Sequence, residues 1–195
     1  MGTRGAVGVK LGDQIFATYN HFDSYPSSLG TRMVEFCRGL SKDQLAVLKE
    51  RFKHVVIVDD YDDKPTEENQ KRYVEAGFYD ETVGDRTPGD WYNLLRKIQG
   101  MGYIQAVLDG TCQHWIDGKN FLENGLSCEY AYIIDLDKET IEFYEGGSEE
   151  PDKNSPLPFE QAPDEHGYYP VKFMGRAALE AIPDDWIKKF YPDED

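Results

Sequence analysis

A chain of 195 residues with 39% hydrophobic and 13% aromatic side chains can bury one sizeable core, and its length does not call for two. The formal net charge of -16, with no lysine or arginine stripe to offset it, argues against direct docking on nucleic acid or on an anionic membrane. No run nears the ~18 consecutive apolar residues of a membrane span, and the start lacks the basic, apolar and small-residue succession of a signal peptide, so a soluble cytoplasmic protein is expected.

Ala6 stands where an N-myristoylation motif needs Ser or Thr. Cys37, Cys112 and Cys128 form no CxxC pair and are odd in number, which fits reduced thiols better than a disulfide framework or a structural zinc. No metal-ligand set and no cofactor motif is expected.

Arg4 to Leu11 alternates, with Val7, Val9 and Leu11 on one side, and an extended pattern resumes from Ile15 to His21 after Gly12 and Asp13, which predicts a β-hairpin. Gly5 and Gly8 lie inside its first strand, where glycine loosens a sheet unless another backbone or a ligand comes close. The return strand runs into Tyr19, Asn20, His21, Asp23, Ser24 and Tyr25, a dense set of polar and titratable groups at a strand-to-helix junction.

Ser27 and Ser28 start a helix carrying Met33, Phe36, Cys37 and Leu40, and the Ser41 and Gln44 pair caps a second one with Leu45, Leu48 and Phe52 on its apolar face. His54 to Val58 reads as a strand covered on both faces. Asp59, Asp60, Asp62 and Asp63 follow it and read as a solvated loop rather than a cation site, since they lack the glycine and ligand spacing of an EF-hand. Thr66 caps a peripheral helix that ends before Gly77, and Thr87, Pro88 and Asp90 announce a helix with Trp91, Leu94, Leu95 and Ile98 on its core face.

Tyr103 to Leu108 adds a short helix. Cys112, His114 and Asp117 stand close in sequence, but catalytic sets are assembled from distant segments, so a short strand with Trp115 buried is preferred. Cys128 to Leu136 and Ile141 to Tyr144 form a second hairpin, with Ile141 and Phe143 facing inward and Thr140 and Glu142 facing water. Residues 146–167 read as a long surface loop. A last strand (Tyr168 to Met174), a turn of helix (Ala177 to Ala181), a helix carrying Trp186 and a frayed acidic tail complete the chain.

These elements predict one α+β domain over residues 1–195. Its mainly antiparallel sheet combines the first hairpin, His54 to Val58, the second hairpin and the strand near Val171, covered by helices.

The run from Gly2 to Asp23 resembles the start of the bile-acid hydrolase and penicillin V acylase branch of the N-terminal nucleophile hydrolases. There a cysteine follows the initiator methionine, and the pattern continues with a Thr, a Gly, a hairpin turn, an Asn and an Asp. Thr3, Gly5, the turn at Gly12, Phe16, Asn20 and Asp23 occupy comparable places. The resemblance implies a layered sandwich and attack on an amide by the first residue's side chain, with its own α-amine as base. Gly2 stands at the nucleophile's place and has no side chain with which to attack. Either Thr3 becomes the first residue after processing, or the scaffold is retained for binding without this chemistry. The stretch also resembles uncharacterised phage and bacterial proteins that begin Met-Gly-Thr-Arg-Gly and carry Tyr-Asn-His-Phe-Asp-Ser-Tyr-Pro, a likeness that supplies no activity.

In a catalytic reading Thr3, His21 and Asp23 do the chemistry, with His21 the proton carrier and Asp23 its orienter or a substrate anchor. Arg4, Tyr19, Asn20, Ser24 and Tyr25 bind the ligand, and Ser24 is a nucleophile only if the loop brings it to an imidazole. In an architectural reading Tyr19 and Phe22 are core, Asn20 and Asp23 hold the turn, and Pro26 shapes the loop. The expected function is an amide-hydrolase-like enzyme, or an inactive descendant that binds a small polar ligand at residues 19–25. The alternative is an acidic phage-type interaction protein that inhibits a host or competing enzyme, in one version by imitating nucleic acid.

Overall fold

Gly12 turns the first hairpin at φ +59°, a conformation that side chains resist, and its N–H donates to the Asp137 carboxylate at 2.7 Å. In the computed structural model, which describes residues 2–194, this turn joins β1 (Gly5–Leu11) to β2 (Gln14–Asn20). The second hairpin pairs β5 (Tyr130–Asp135) with β6 (Thr140–Glu145), and β7 (Lys172–Ala178) follows. The two short strands between the hairpins are β3 (Val56–Val58) and β4 (His114–Ile116).

The main sheet has five strands in the order β2-β1-β5-β6-β7. Its ladders are antiparallel except for β1 with β5, which run parallel from Gly5 opposite Tyr130 to Lys10 opposite Asp135. The fold is therefore α+β with a mainly antiparallel sheet. His54 to Val58 departs from expectation: β3 pairs only with β4, in parallel, outside the main sheet. Val56 and Ile57 are 50% and 44% exposed, and only Val58 of that strand is buried. This small sheet hangs from the free edge of β2, where the Gly118 N–H donates to Ala17 O at 2.8 Å.

Strand alternation sorts the core onto two faces. Val7, Val9, Tyr132, Ile134, Ile141 and Phe143 point to one, and Ala6, Ala17, Ala131, Ile133 and Tyr144 to the other. The first face is covered by α1 (Thr31–Gly39), α2 (Lys42–Phe52), α3 (Glu67–Glu75), α4 (Trp91–Leu94), α5 (Met101–Asp109) and α6 (Trp186–Phe190). Fully buried Trp115 packs edge-on to Phe52 at 5.4 Å, and Phe143 stacks on Phe190 at 4.6 Å. Among the described residues no helix is long and apolar enough to cross a membrane.

Local chemistry sets several helix starts where expected. Ser41 and Gln44 exchange both hydrogen bonds of a capping box, and Thr66 Oγ1 accepts the Asn69 N–H at 3.2 Å. Other elements shift. Residues Pro26–Gly30 form a wide helical turn before α1 begins. Asp90 is itself the cap of α4, which ends at Leu94, and the chain continues as a tighter turn over Arg96–Ile98.

Residues 146–171 carry no regular secondary structure, yet Leu157 is 5% exposed and packs with Leu122, Cys128 and Val171 on the second face of the sheet. This segment does the work of a helix layer there. Glu142, expected in water, is fully buried on the same face. Lys10 Nζ meets its Oε2 at 3.1 Å and the Tyr144 hydroxyl donates to the same oxygen at 2.6 Å, so the charge is compensated rather than solvated. The expected frayed tail is tied down at Glu194, whose carboxylate accepts the Tyr130 hydroxyl; Asp195 lies outside the described residues.

Candidate functional site

The opening motif begins where β2 ends, and Asn20 organises the turn. Its Nδ2 donates to Phe22 O at 2.6 Å and to Ser24 Oγ at 2.8 Å. The Ser24 N–H donates to Thr3 O at 3.2 Å, and the Tyr132 hydroxyl donates to Ser24 O at 2.9 Å. These bonds press Ser24 against β1, which explains Gly5: a Cβ there would sit 2.7 Å from Ser24 Cβ and strike Tyr130 O. Asn20 and Ser24 are thereby buried and belong to the architecture of the turn.

Of the proposed catalytic residues, Thr3 and His21 line one cleft without a hydrogen bond between them, and Asp23 is not part of that lining. Thr3 is buried and its hydroxyl has no hydrogen-bond partner. Ser24 Oγ bonds to an amide and not to an imidazole. Asp23 is exposed at φ +53°, makes no ion pair among the described residues, and does not bond to His21. Its main-chain carbonyl instead accepts the Leu29 N–H at 3.1 Å, so of the two roles expected for it, the orienter of His21 is corrected.

His21 is held by Tyr19, whose hydroxyl lies 2.7 Å from Nδ1, and by the exposed Phe22 ring at 4.1 Å. Burial lowers the His21 pKa below its ordinary 6.5, and the Arg96 and Arg4 guanidiniums lower it further. The neutral form of the imidazole is thereby favoured. Thr3, Arg4, His21, Phe22 and Tyr25 do share one shallow cleft of about 470 Å³. Within it Arg4 is tied through its main chain to Glu129, and Tyr25 is 40% exposed beside Tyr130.

On its other side Tyr19 lines a larger cavity, of about 580 Å³, that local reading of the sequence does not reveal. Its walls come from segments far apart in the chain: Asp59 and Asp60 after β3, Tyr92 on α4, Tyr103 on α5, Asp117 after β4, and Phe121, which meets the Tyr19 ring edge-on at 5.0 Å. The Tyr92 N–H donates to Asp60 Oδ1 at 2.7 Å across 32 residues. Burial raises the Asp60 pKa, a trend strengthened by Asp90 and Asp59. Asp59 moves the other way, because its Oδ1 accepts the Asp62 and Tyr61 amides. The acidic run after β3 was the available sequence signal, but its pairing with Tyr92 and Tyr19 is a product of the fold.

Comparison with protein-family models, with curated proteins and with solved structures found no match.

In the second sequence concentration, Cys112 to Gly118, the Cys112 and His114 side chains are held by the surrounding structure, and Ile116, Asp117 and Gly118 line the cavity. The buried Cys112 thiol donates to His114 O, and burial raises its pKa. His114 lies 2.6 Å from the Tyr73 hydroxyl and stacks on Trp91 at 4.7 Å, while Asp117 pairs with Lys119 at 3.3 Å. Among the described residues no three or more His, Cys, Asp or Glu side chains form a group that could hold a metal ion.

Proposed function

We propose that the protein binds a small polar ligand in the cavity beside Tyr19, and that the opening motif serves as one wall of that site rather than as hydrolytic machinery. The observation that carries this reading is the double engagement of Tyr19: its hydroxyl holds His21 while its ring faces a cavity of about 580 Å³. That volume falls within the range of small-molecule sites, roughly 300 to 1,000 Å³. The two candidate nucleophilic hydroxyls, on Thr3 and Ser24, are both buried and neither hydrogen-bonds to an imidazole, which favours binding over nucleophilic attack.

A fragment screen followed by amide NMR tests the reading. Bound fragments are expected to move the Tyr19 and Gly118 resonances, and Tyr19→Ala to remove those shifts without loss of fold. A mature chain found by intact mass to begin at Thr3, with an amide hydrolysis abolished in Thr3→Ala, would replace binding by the hydrolase mechanism.

The net charge of -16 supports a second reading, an acidic phage-type protein that docks on a basic enzyme surface. Tyr61, Asp62 and Asp63 are exposed together at the end of the small sheet. Capture of a specific partner that is lost at high salt, and lost when these carboxylates are neutralised, is its expected result; binding indifferent to both defeats it.

A further inference from the structure

Resting on the proposal that the Tyr19 cavity is a ligand site, we infer that its ligand is a small organic cation bearing a primary ammonium group. The lining contains carboxylates and aromatic rings but no lysine, arginine or histidine. Asp117 is already paired with Lys119, and Asp59 Oδ1 is committed to two backbone amides. Asp59 is also exposed, whereas Asp60 is a half-buried carboxylate of the lining. Its Oδ1 accepts the Tyr92 N–H, and its Oδ2 has no hydrogen-bond partner among the described residues. The guanidinium of Arg96 does not itself line the cavity; it lies behind two wall residues, over the Tyr92 ring at 5.2 Å and bonded to Gln99 Oε1, and reaches the Phe22 ring at 5.9 Å.

A second, independent observation comes from Tyr103. Its side chain is fully buried against the cavity, and its hydroxyl has no hydrogen-bond partner; the Ile116 N–H lies nearby but outside bonding geometry. An orphaned buried hydroxyl is costly, and a ligand N–H would satisfy its oxygen. Asp60 Oδ2 and Tyr103 Oη are both acceptors, so they select N–H donors over a quaternary ammonium, which has none. The aromatic rings of Tyr19 and Phe121 line the same cavity, and aromatic rings attract positive charge. A bare metal ion is disfavoured, since no third carboxylate or imidazole joins the group.

The probe is 1,4-diaminobutane, compared with its neutral and anionic counterparts 1,4-butanediol and butanedioate, each at about 10 mM, enough to populate a millimolar complex. The diamine is expected to move the amides of Tyr19, Asp60, Tyr92 and Gly118 saturably, the diol weakly and the diacid not at all. Asp60→Asn keeps an acceptor for the Tyr92 N–H, so it should melt as the parent does while weakening the diamine about 10-fold or more; Tyr103→Phe should weaken it several-fold. Diol binding as tight as the diamine at those amides, or diamine binding unchanged in Asp60→Asn, overturns the cation inference and leaves the cavity a binding site. No shift from the diamine also overturns it, and if a neutral fragment mixture leaves the same amides unmoved, the ligand-site reading falls with it.

Discussion

The Tyr19 hydroxyl lies 2.7 Å from Nδ1 of His21, so the imidazole of the opening motif is oriented by a phenol two residues upstream and not by the Asp23 carboxylate. Residues two apart on a strand share one face, and Tyr19 and His21 continue the β2 alternation past its last paired residue, Asn20. Asn20, between them, points into the turn. The motif thus divides by side: Asn20 and Ser24 build the chain reversal, while Tyr19 and His21 face the two concavities.

That division predicts opposite costs for neighbouring substitutions. His21→Ala removes a half-buried ring whose partner can turn to water, and should change stability by less than about 1 kcal/mol. Asn20→Ala strips the buried Ser24 hydroxyl and Phe22 O of their donor and should cost about 1 to 3 kcal/mol. Urea unfolding of the two variants reads both, and a larger loss from His21→Ala than from Asn20→Ala contradicts the assignment.

His114 should make the fold acid-sensitive near neutral pH. Burial, and after it Arg72, hold its pKa below the ordinary 6.5. As pH falls through 6.5 the unfolded chain therefore takes up a proton that the folded protein refuses, and the His114 contribution to stability, full above that pH, declines toward the lowered folded value and levels off below it. Urea midpoints at several pH values between about 7.5 and 5.5 should fall in the parent and fall less steeply in His114→Gln.

The buried charges on the second face of the sheet should be strongly coupled. Lys10→Met leaves Glu142 fully buried, with Arg176 at 3.6 Å as its remaining cation, and should cost about 3 to 5 kcal/mol. Adding Glu142→Leu removes the orphaned charge and should recover part of that loss. A double-mutant cycle by chemical denaturation measures the coupling; additive single effects would contradict it.

Two glycines should respond with opposite sign. Gly5→Ala drives a methyl toward Ser24 Cβ and Tyr130 O and should destabilise by about 1 to 3 kcal/mol. Gly39→Ala, in the last turn of α1 with no other atom within 4 Å of the new Cβ, should stabilise by up to about 1 kcal/mol. Thermal melts of both variants check the pair.

Features carried by residues a few positions apart were legible in the sequence alone: the turn at Gly12, the Ser41 and Gln44 capping box, the Thr66 cap, the 130–145 hairpin and the buried Trp115. Each depends on i to i+3 hydrogen bonds or on alternation along one strand, so its determinants are contiguous. The tertiary structure alone decided that β1 runs parallel to β5, that β3 leaves the main sheet, that 146–171, beside the helical turn Lys119–Glu123, covers the second face of the sheet, and that Glu142 is buried against Lys10. For the site, local reading found Tyr19 and His21 but took the acids at Asp59 and Asp60 for a solvated loop. It could not join Tyr19 to Asp60 and Tyr103, because that proximity is set by where β4 hangs on β2 and by a hydrogen bond spanning 32 residues, neither of which leaves a periodic trace along the chain.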